Sequence, residues 1–312
     1  MLVCATNAFT LTHNHAPEHQ SSTRLLAAGG APQYDKIQAT LRKAEEVGDG
    51  SVMLHIDTHD EVDYEPGHVL ALEIQDSEDS TIDSDSKTKK DAQSNGGWMR
   101  GPYTVSRSTE KSLDILIKVV GDKSKRFASA EPGTPLQFGG KFKVPIIEGI
   151  STETTRRVVL ISTGVGVGPS IGAIEKALEK EESFPPIDLI ASYRTEEEVV
   201  YKDHLDKLQK DHPGKFSWKT IITSDQGRLS STGNLKELTD TKFDAGIENT
   251  HYHLIGNGSM VSEFKAGLQK AGVPDDKITL EMYFNHTAEK DDEAVERISA
   301  AVIETAAAVT SD

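Results

Sequence analysis

The run Thr163-Gly164-Val165-Gly166-Val167-Gly168-Pro169 is the segment of this chain best suited to hold an anion. Glycines let a backbone approach a ligand closely, proline is preorganised for a first helical turn, and unpaired N–H groups at a helix start favour a pyrophosphate. Proline at 169 breaks the full G-x-G-x-x-G spacing, so the same residues also suit a plain strand-to-helix turn. Other chemistries find less support. The histidines show no H-E-x-x-H spacing, and although His251 and His253 would share one face of a strand, no metal site is expected. No phosphate-binding G-x-x-x-x-G-K-[ST] loop occurs. The single cysteine, Cys4, excludes a disulfide framework and any cysteine-based zinc or iron–sulfur site. What remains is chemistry supplied by a bound cofactor.

The partner classes narrow with charge. A formal net charge of -16 opposes binding to DNA, RNA or anionic lipid, and no apolar run is long enough to span a membrane as a helix. Between residues 115 and 145, however, Lys118, Lys123, Lys125, Arg126, Lys141 and Lys143 face only Asp122 and Glu131, a local surplus of four positive charges. Such a patch would either steer an acidic protein or protect a solvated strand edge.

Two kinds of element must position these groups. From 51 to 120 the apolar residues alternate: Val52, Leu54, Ile56; Leu70, Leu72, Ile74; Leu113, Ile115, Ile117, Val119. Period two, with turns at Pro66-Gly67 and Pro132-Gly133, predicts an antiparallel β-barrel over residues 34–150, interrupted by a polar surface insertion at 76–94. After residue 151 the apolar runs at 158–161, 187–190, 220–222 and 252–255 alternate with helical stretches at 169–182, 196–210 and 259–271. This predicts a doubly wound parallel sheet over 151–286. Val295, Ile298 and Val302 at helical spacing predict a C-terminal amphipathic helix within 287–312. Residues 1–33, poor in charge and rich in Ser and Thr, read as a disordered tail or an organelle transit segment.

Several motifs then fall in one order: Glu65-Pro66-Gly67-His68, Arg100-Gly101-Pro102-Tyr103-Thr104-Val105-Ser106, Gly164 through Pro169, Tyr193-Arg194 through Leu205, Gly256-Asn257-Gly258-Ser259-Met260-Val261 and Glu281-Met282-Tyr283. In that order the chain resembles the ferredoxin–NADP reductase superfamily, in which a β-barrel binds FAD and a following α/β domain binds NAD(P)H. The resemblance implies that Tyr103 stacks on the isoalloxazine, Thr104 hydrogen-bonds near flavin N5 and Arg100 pairs with the FAD pyrophosphate, with Val105, Ser106 and, more weakly, Ser129 as further FAD contacts. It implies that Thr163, Gly164, Gly166, Gly168 and Pro169 hold the dinucleotide pyrophosphate. Gly256, Asn257, Gly258 and Met260 would border the nicotinamide, and Arg194, Ser224 and Arg228 the adenosine half. Thr104, Glu281 and Tyr283 would stand at the site of hydride transfer.

The sequence also departs from the family pattern. Arg100 stands three residues before Tyr103 where the family's arginine stands two before it, and Ile255 replaces a cysteine common beside the nicotinamide. Ser224-Asp225 replaces a Ser-Arg pair that recognises the NADP 2′-phosphate, leaving that preference to Arg228 or Lys236 and NAD possible. Lys125 through Ser129 take the place of the family's Gly-x-x-Ser loop at a helix start. By resemblance the expected function is an FAD-dependent oxidoreductase that exchanges a hydride with NADP or NAD and passes single electrons to an acidic carrier such as ferredoxin. The competing expectation is a non-catalytic binding or assembly subunit on the same fold. Ala5-Thr6-Asn7-Ala8-Phe9 looks like a plastid presequence motif of algae with complex plastids, which makes a chloroplast the expected compartment.

Overall fold

The computed structural model describes residues 34–75, 92–93, 95–180, 184–239, 246–284 and 290–309. Every element below belongs to the unit Asp35–Asp312. The transit reading of 1–33 and nearly all of the polar insertion lie outside the described residues.

Seven strands form the first sheet: β1 (Ile37–Gly48), β2 (Ser51–Thr58), β3 (Val69–Gln75), β4 (Trp98–Thr104), β5 (Arg107–Thr109), β6 (Ser112–Lys118) and β7 (Pro135–Phe142), in the order β4-β3-β7-β1-β2-β6-β5. Its strands pair antiparallel throughout, and the register sets Val52, Leu54 and Ile56 opposite Ile117, Ile115 and Leu113. These side chains share one core with Leu70, Leu72, Ile74 and Phe138, so the predicted alternation is what builds the inner face. The sheet is barrel-like but open, with β4 and β5 at its two edges. A short helix, α1 (Asp122–Ala128), buries Phe127 in the same core.

The second sheet is parallel, made of β8 (Arg157–Thr163), β9 (Ile187–Tyr193), β10 (Phe216–Ile222), β11 (Thr250–Asn257) and β12 (Ile278–Phe284) in the order β10-β9-β8-β11-β12. Chain direction across the sheet reverses between β8 and β11, the place where open α/β sheets bind ligands beyond their strand ends. The connecting helices include α2 (Val167–Glu179), α3 (Lys202–Asp211), α4 (Thr223–Gln226), α5 (Thr232–Thr239) and α6 (Gly258–Lys270). The C-terminal helix α7 (Asp292–Val309) packs Ile298 into the space left by Gly267 on α6.

Helix α2 joins the two sheets. A Cβ on Gly172 would lie 1.8 Å from the Ser106 carbonyl oxygen, and one on Gly168 would lie 2.6 Å from Ser106 Oγ and 2.8 Å from Leu116 Cβ. The absence of side chains at these two positions is what lets α2 press on the first sheet. Beside this contact Arg107 donates to both Glu175 oxygens, at 2.6 and 2.8 Å, and His204 Nε2 lies 2.6 Å from Glu175 Oε1.

Candidate active site at the seam between the sheets

A cleft of about 160 Å³ opens where the carboxyl ends of β8 and β11 meet the first sheet, lined by Ser51, Lys118, Thr163, Gly164, Tyr193, Glu198, Gly256, Asn257 and Tyr283. Gly164 has a φ of +54° and no atom where a side chain would stand. Gly256 has a φ of +129°, and a Cβ there would lie 2.1 Å from Thr163 Oγ1. That hydroxyl accepts the Asn257 N–H at 2.8 Å and ties the two strand ends together. Lys118 donates to the Asp49 carbonyl at 2.8 Å and to Glu198 at 3.3 Å, fixing a cation on the cleft wall.

Beside the cleft lies a buried polar cluster. Thr104 Oγ1 donates to Glu281 Oε1 at 2.6 Å across 177 residues of sequence, and Glu281 Oε2 has no hydrogen-bond partner among the described residues. Burial pushes the Glu281 carboxyl up to about 8, against a smaller opposing effect of the Thr104 hydroxyl. Tyr283, which reaches the cleft wall, interacts with both groups, and burial followed by the Glu281 charge raises its phenol well above the ordinary range. The sequence-predicted trio Thr104, Glu281 and Tyr283 is thus brought together, and at neutral pH its carboxyl is held as the acid.

Other predicted residues scatter by role. Tyr103 packs edge-to-face on Phe127 at 5.4 Å and remains partly exposed. Val105 is a core residue, and Ser106 Oγ accepts the Leu116 N–H at 3.2 Å. Gly166, Gly168 and Pro169 are buried; a Cβ on Gly166 would lie 2.9 Å from the Ile255 carbonyl, so these residues pack the seam, while Thr163 and Gly164 face the cleft. Gly258 starts α6, and Met260 is in the core of the second sheet. Arg194 and Ser224 meet through the Ser224 N–H and the Arg194 carbonyl at 3.0 Å, and both side chains are exposed. The Ser224 hydroxyl turns to Asp225 at 2.8 Å, and Arg228 reaches buried Glu263 at 2.8 Å. His251 and His253 both lie against Thr279 Oγ1, at 3.0 and 2.9 Å, and burial lowers them to about 4 and about 3.

Arg100 is placed differently from Tyr103. On β4 the odd positions Met99, Gly101, Tyr103 share the inner side, and Arg100 falls on the other. There its Nε lies 3.5 Å from Glu73, which pairs with it across the β3–β4 register and also binds Lys36 and Gln137. The parity of residues 100 and 103 already carries this signal. A Gly-x-x-Ser pattern is present after all, not replaced by Lys125–Ser129: Gly121-Asp122-Lys123-Ser124 stand at the start of α1. Ser124 Oγ accepts the N–H groups of Val120 and Gly121 at 2.9 and 3.1 Å, whereas Ser129 ends the helix. Lys118, Ser51, Tyr193 and Glu198 also line the cleft, and no local spacing in the sequence connects them.

A barrel-like antiparallel sheet followed by a parallel sheet, with a cleft at the switch point, is a fold shared with FAD- and NAD(P)-binding reductases. Residues 160–266 match the family model described as Oxidoreductase NAD-binding domain. Among named relatives, an NADH-cytochrome b5 reductase-like protein of Arabidopsis thaliana is 29% identical over 174 residues, covering 53% of this chain and 51% of that protein. Among solved structures, a flavohemoglobin from Malassezia yamatoensis with bound FAD and heme has a TM-score of 0.63 at 21% identity, covering 80% of this chain and 60% of that one. A ferredoxin NADP+ reductase from Neisseria gonorrhoeae with bound FAD and NADP also has a TM-score of 0.63, at 16% identity, covering 81% of this chain and 100% of that one. The chain spans about half the length, or less, of the first curated relatives it matches. No described helix is long and apolar enough to cross a membrane.

Proposed function

We propose that this chain is an FAD-dependent oxidoreductase that exchanges a hydride with NAD(P)H and passes single electrons to an acidic protein carrier such as ferredoxin. The observation that carries the reading is the Thr104–Glu281–Tyr283 cluster beside a cleft at the β8–β11 switch point. These residues fit the cofactor: a buried carboxyl oxygen lacks a partner among the described residues, and Gly164 offers open backbone beside Lys118. When bound, FAD supplies the hydride-accepting and one-electron chemistry.

The chain's own groups supply position and charge. Tyr103 would cover the flavin ring and Gly121 to Ser124 would hold its phosphates, while Thr104 and Glu281 hold a proton beside the cleft. Thr163, Gly164, Gly256 and Asn257 border the nicotinamide nucleotide, with Lys118 as a cation on that wall. Arg194, Ser224 and Arg228 are exposed beyond β9 and β10, where an adenosine could lie, and Asp225 beside Ser224 favours NADH over NADPH. The exposed Lys125, Lys141 and Lys143 suit an acidic carrier. A plastid compartment rests on residues 1–33 alone.

Tyr103→Ala tests the reading directly: the purified variant should hold much less flavin than the wild type. Unchanged flavin occupancy would remove the ring assignment. A wild-type protein that is colourless and takes up no FAD would favour the binding-subunit alternative, which the turn of Arg100 toward Glu73 supports.

A further inference from the structure

We propose that Lys123, not Arg100, supplies the positive charge that meets the FAD phosphates on the Tyr103 side of β4; this rests on the flavoprotein reading above.

Side chains alternate across a strand, so Gly101 shares the side of Tyr103 and Arg100 lies opposite. The guanidinium of Arg100 is engaged there by Glu73, a carboxylate only 1% exposed that also receives Lys36 and Gln137. Breaking that arrangement to turn Arg100 around would leave a buried carboxylate short of a donor, which is costly. On the Tyr103 side the position that could present a cation from β4 is glycine. A Cβ at Gly101 would lie 3.2 Å from Lys123 Cδ, 3.4 Å from Lys123 Nζ and 3.0 Å from Tyr103 Cε2. The lysine stem therefore lies over Gly101, against the tyrosine ring. Its ammonium donates to the Arg100 carbonyl, which fixes where the charge stands. A larger residue at 101 would displace this side chain, so the missing Cβ and the lysine form one device. Its chemical requirement is an anion next to an aromatic surface, which the diphosphate beside an isoalloxazine provides.

The test uses apoprotein titrated with FAD and, separately, with riboflavin, which has the ring and no phosphate, followed by quenching of flavin fluorescence. Lys123→Met should weaken FAD binding by about ten- to a hundredfold, the scale of one charged hydrogen bond, with riboflavin binding changed by less than about twofold. Lys123→Arg should restore most of the FAD affinity, and Lys123→Gln serves where the methionine variant fails to fold by circular dichroism. The proposal is overturned if the lysine variants keep the wild-type ratio of FAD to riboflavin affinity, or if Arg100→Met lowers that ratio as far as Lys123→Met does. Wild-type apoprotein that binds neither compound would overturn the flavoprotein reading itself, an outcome distinct from either of these.

Discussion

The outer side of the first sheet and the seam between the sheets each bury a glutamate, and the two are solved in opposite ways. Glu73, 1% exposed, receives Lys36, Arg100 and Gln137. Glu281, 6% exposed, receives one threonine hydroxyl and leaves Oε2 without a partner among the described residues. Asp188 in the second sheet sides with Glu73, since Arg157 Nε binds it at 2.8 Å and Ser217 donates to its other oxygen. A carboxylate supplied with donors is a crosslink that fixes neighbouring strands. One kept short of them stays protonated at neutral pH and can exchange a proton with a group bound beside it.

The largest effect should come from Asp188→Ala. It leaves the Arg157 guanidinium, 5% exposed, buried without its carboxylate, and chemical denaturation should show a loss of about 3–5 kcal/mol. Glu73→Ala should cost less, about 1–3 kcal/mol by the same measurement, because Lys36 and Arg100 both keep some access to water. A loss at Glu73 as large as that at Asp188 would break the comparison by showing that solvent does not relieve its partners.

The seam should respond to pH rather than to deletion. Because the folded state holds the Glu281 proton more tightly than the unfolded chain, its contribution to stability is complete below the ordinary carboxyl range and is lost as pH rises through about 8. Glu281→Gln should flatten this part of the stability profile and slow flavin reduction by NAD(P)H by about a hundredfold. A variant with the wild-type slope would assign the titration to another group. The smallest effect is expected of Thr104→Val: removing the hydroxyl that opposes the upward shift should move the pH midpoint of flavin reduction higher. A downward move would show that Thr104 does not stabilise the charged carboxylate.

Where the apolar pattern was continuous, the sequence disclosed the fold. The runs at 158–161, 187–190 and 252–255 are strands of the parallel sheet because they are buried on both faces and carry no competing polar period. Strand β1 carries no clear alternation because Lys43, Glu45 and Glu46 occupy its later positions, and its pairing with β2 is a tertiary matter. The predicted barrel is an open sheet, a difference in edge pairing that alternation cannot express. The Thr104, Glu281 and Tyr283 cluster was legible from motifs. Its protonation was not, since burial of Glu281 arises from elements 177 residues apart. The glycine run shows the limit most clearly: identical residues serve the cleft at Gly164 and helix packing at Gly168 and Gly172, and only the neighbours in space separate the two uses.

The most direct test of the central claim is an anaerobic visible spectrum of the purified protein, recorded before and after separate additions of NADH and NADPH. The structure predicts a flavin band that one nucleotide bleaches faster than the other, with NADH favoured by Asp225. A colourless protein that also fails to take up added FAD would contradict the account.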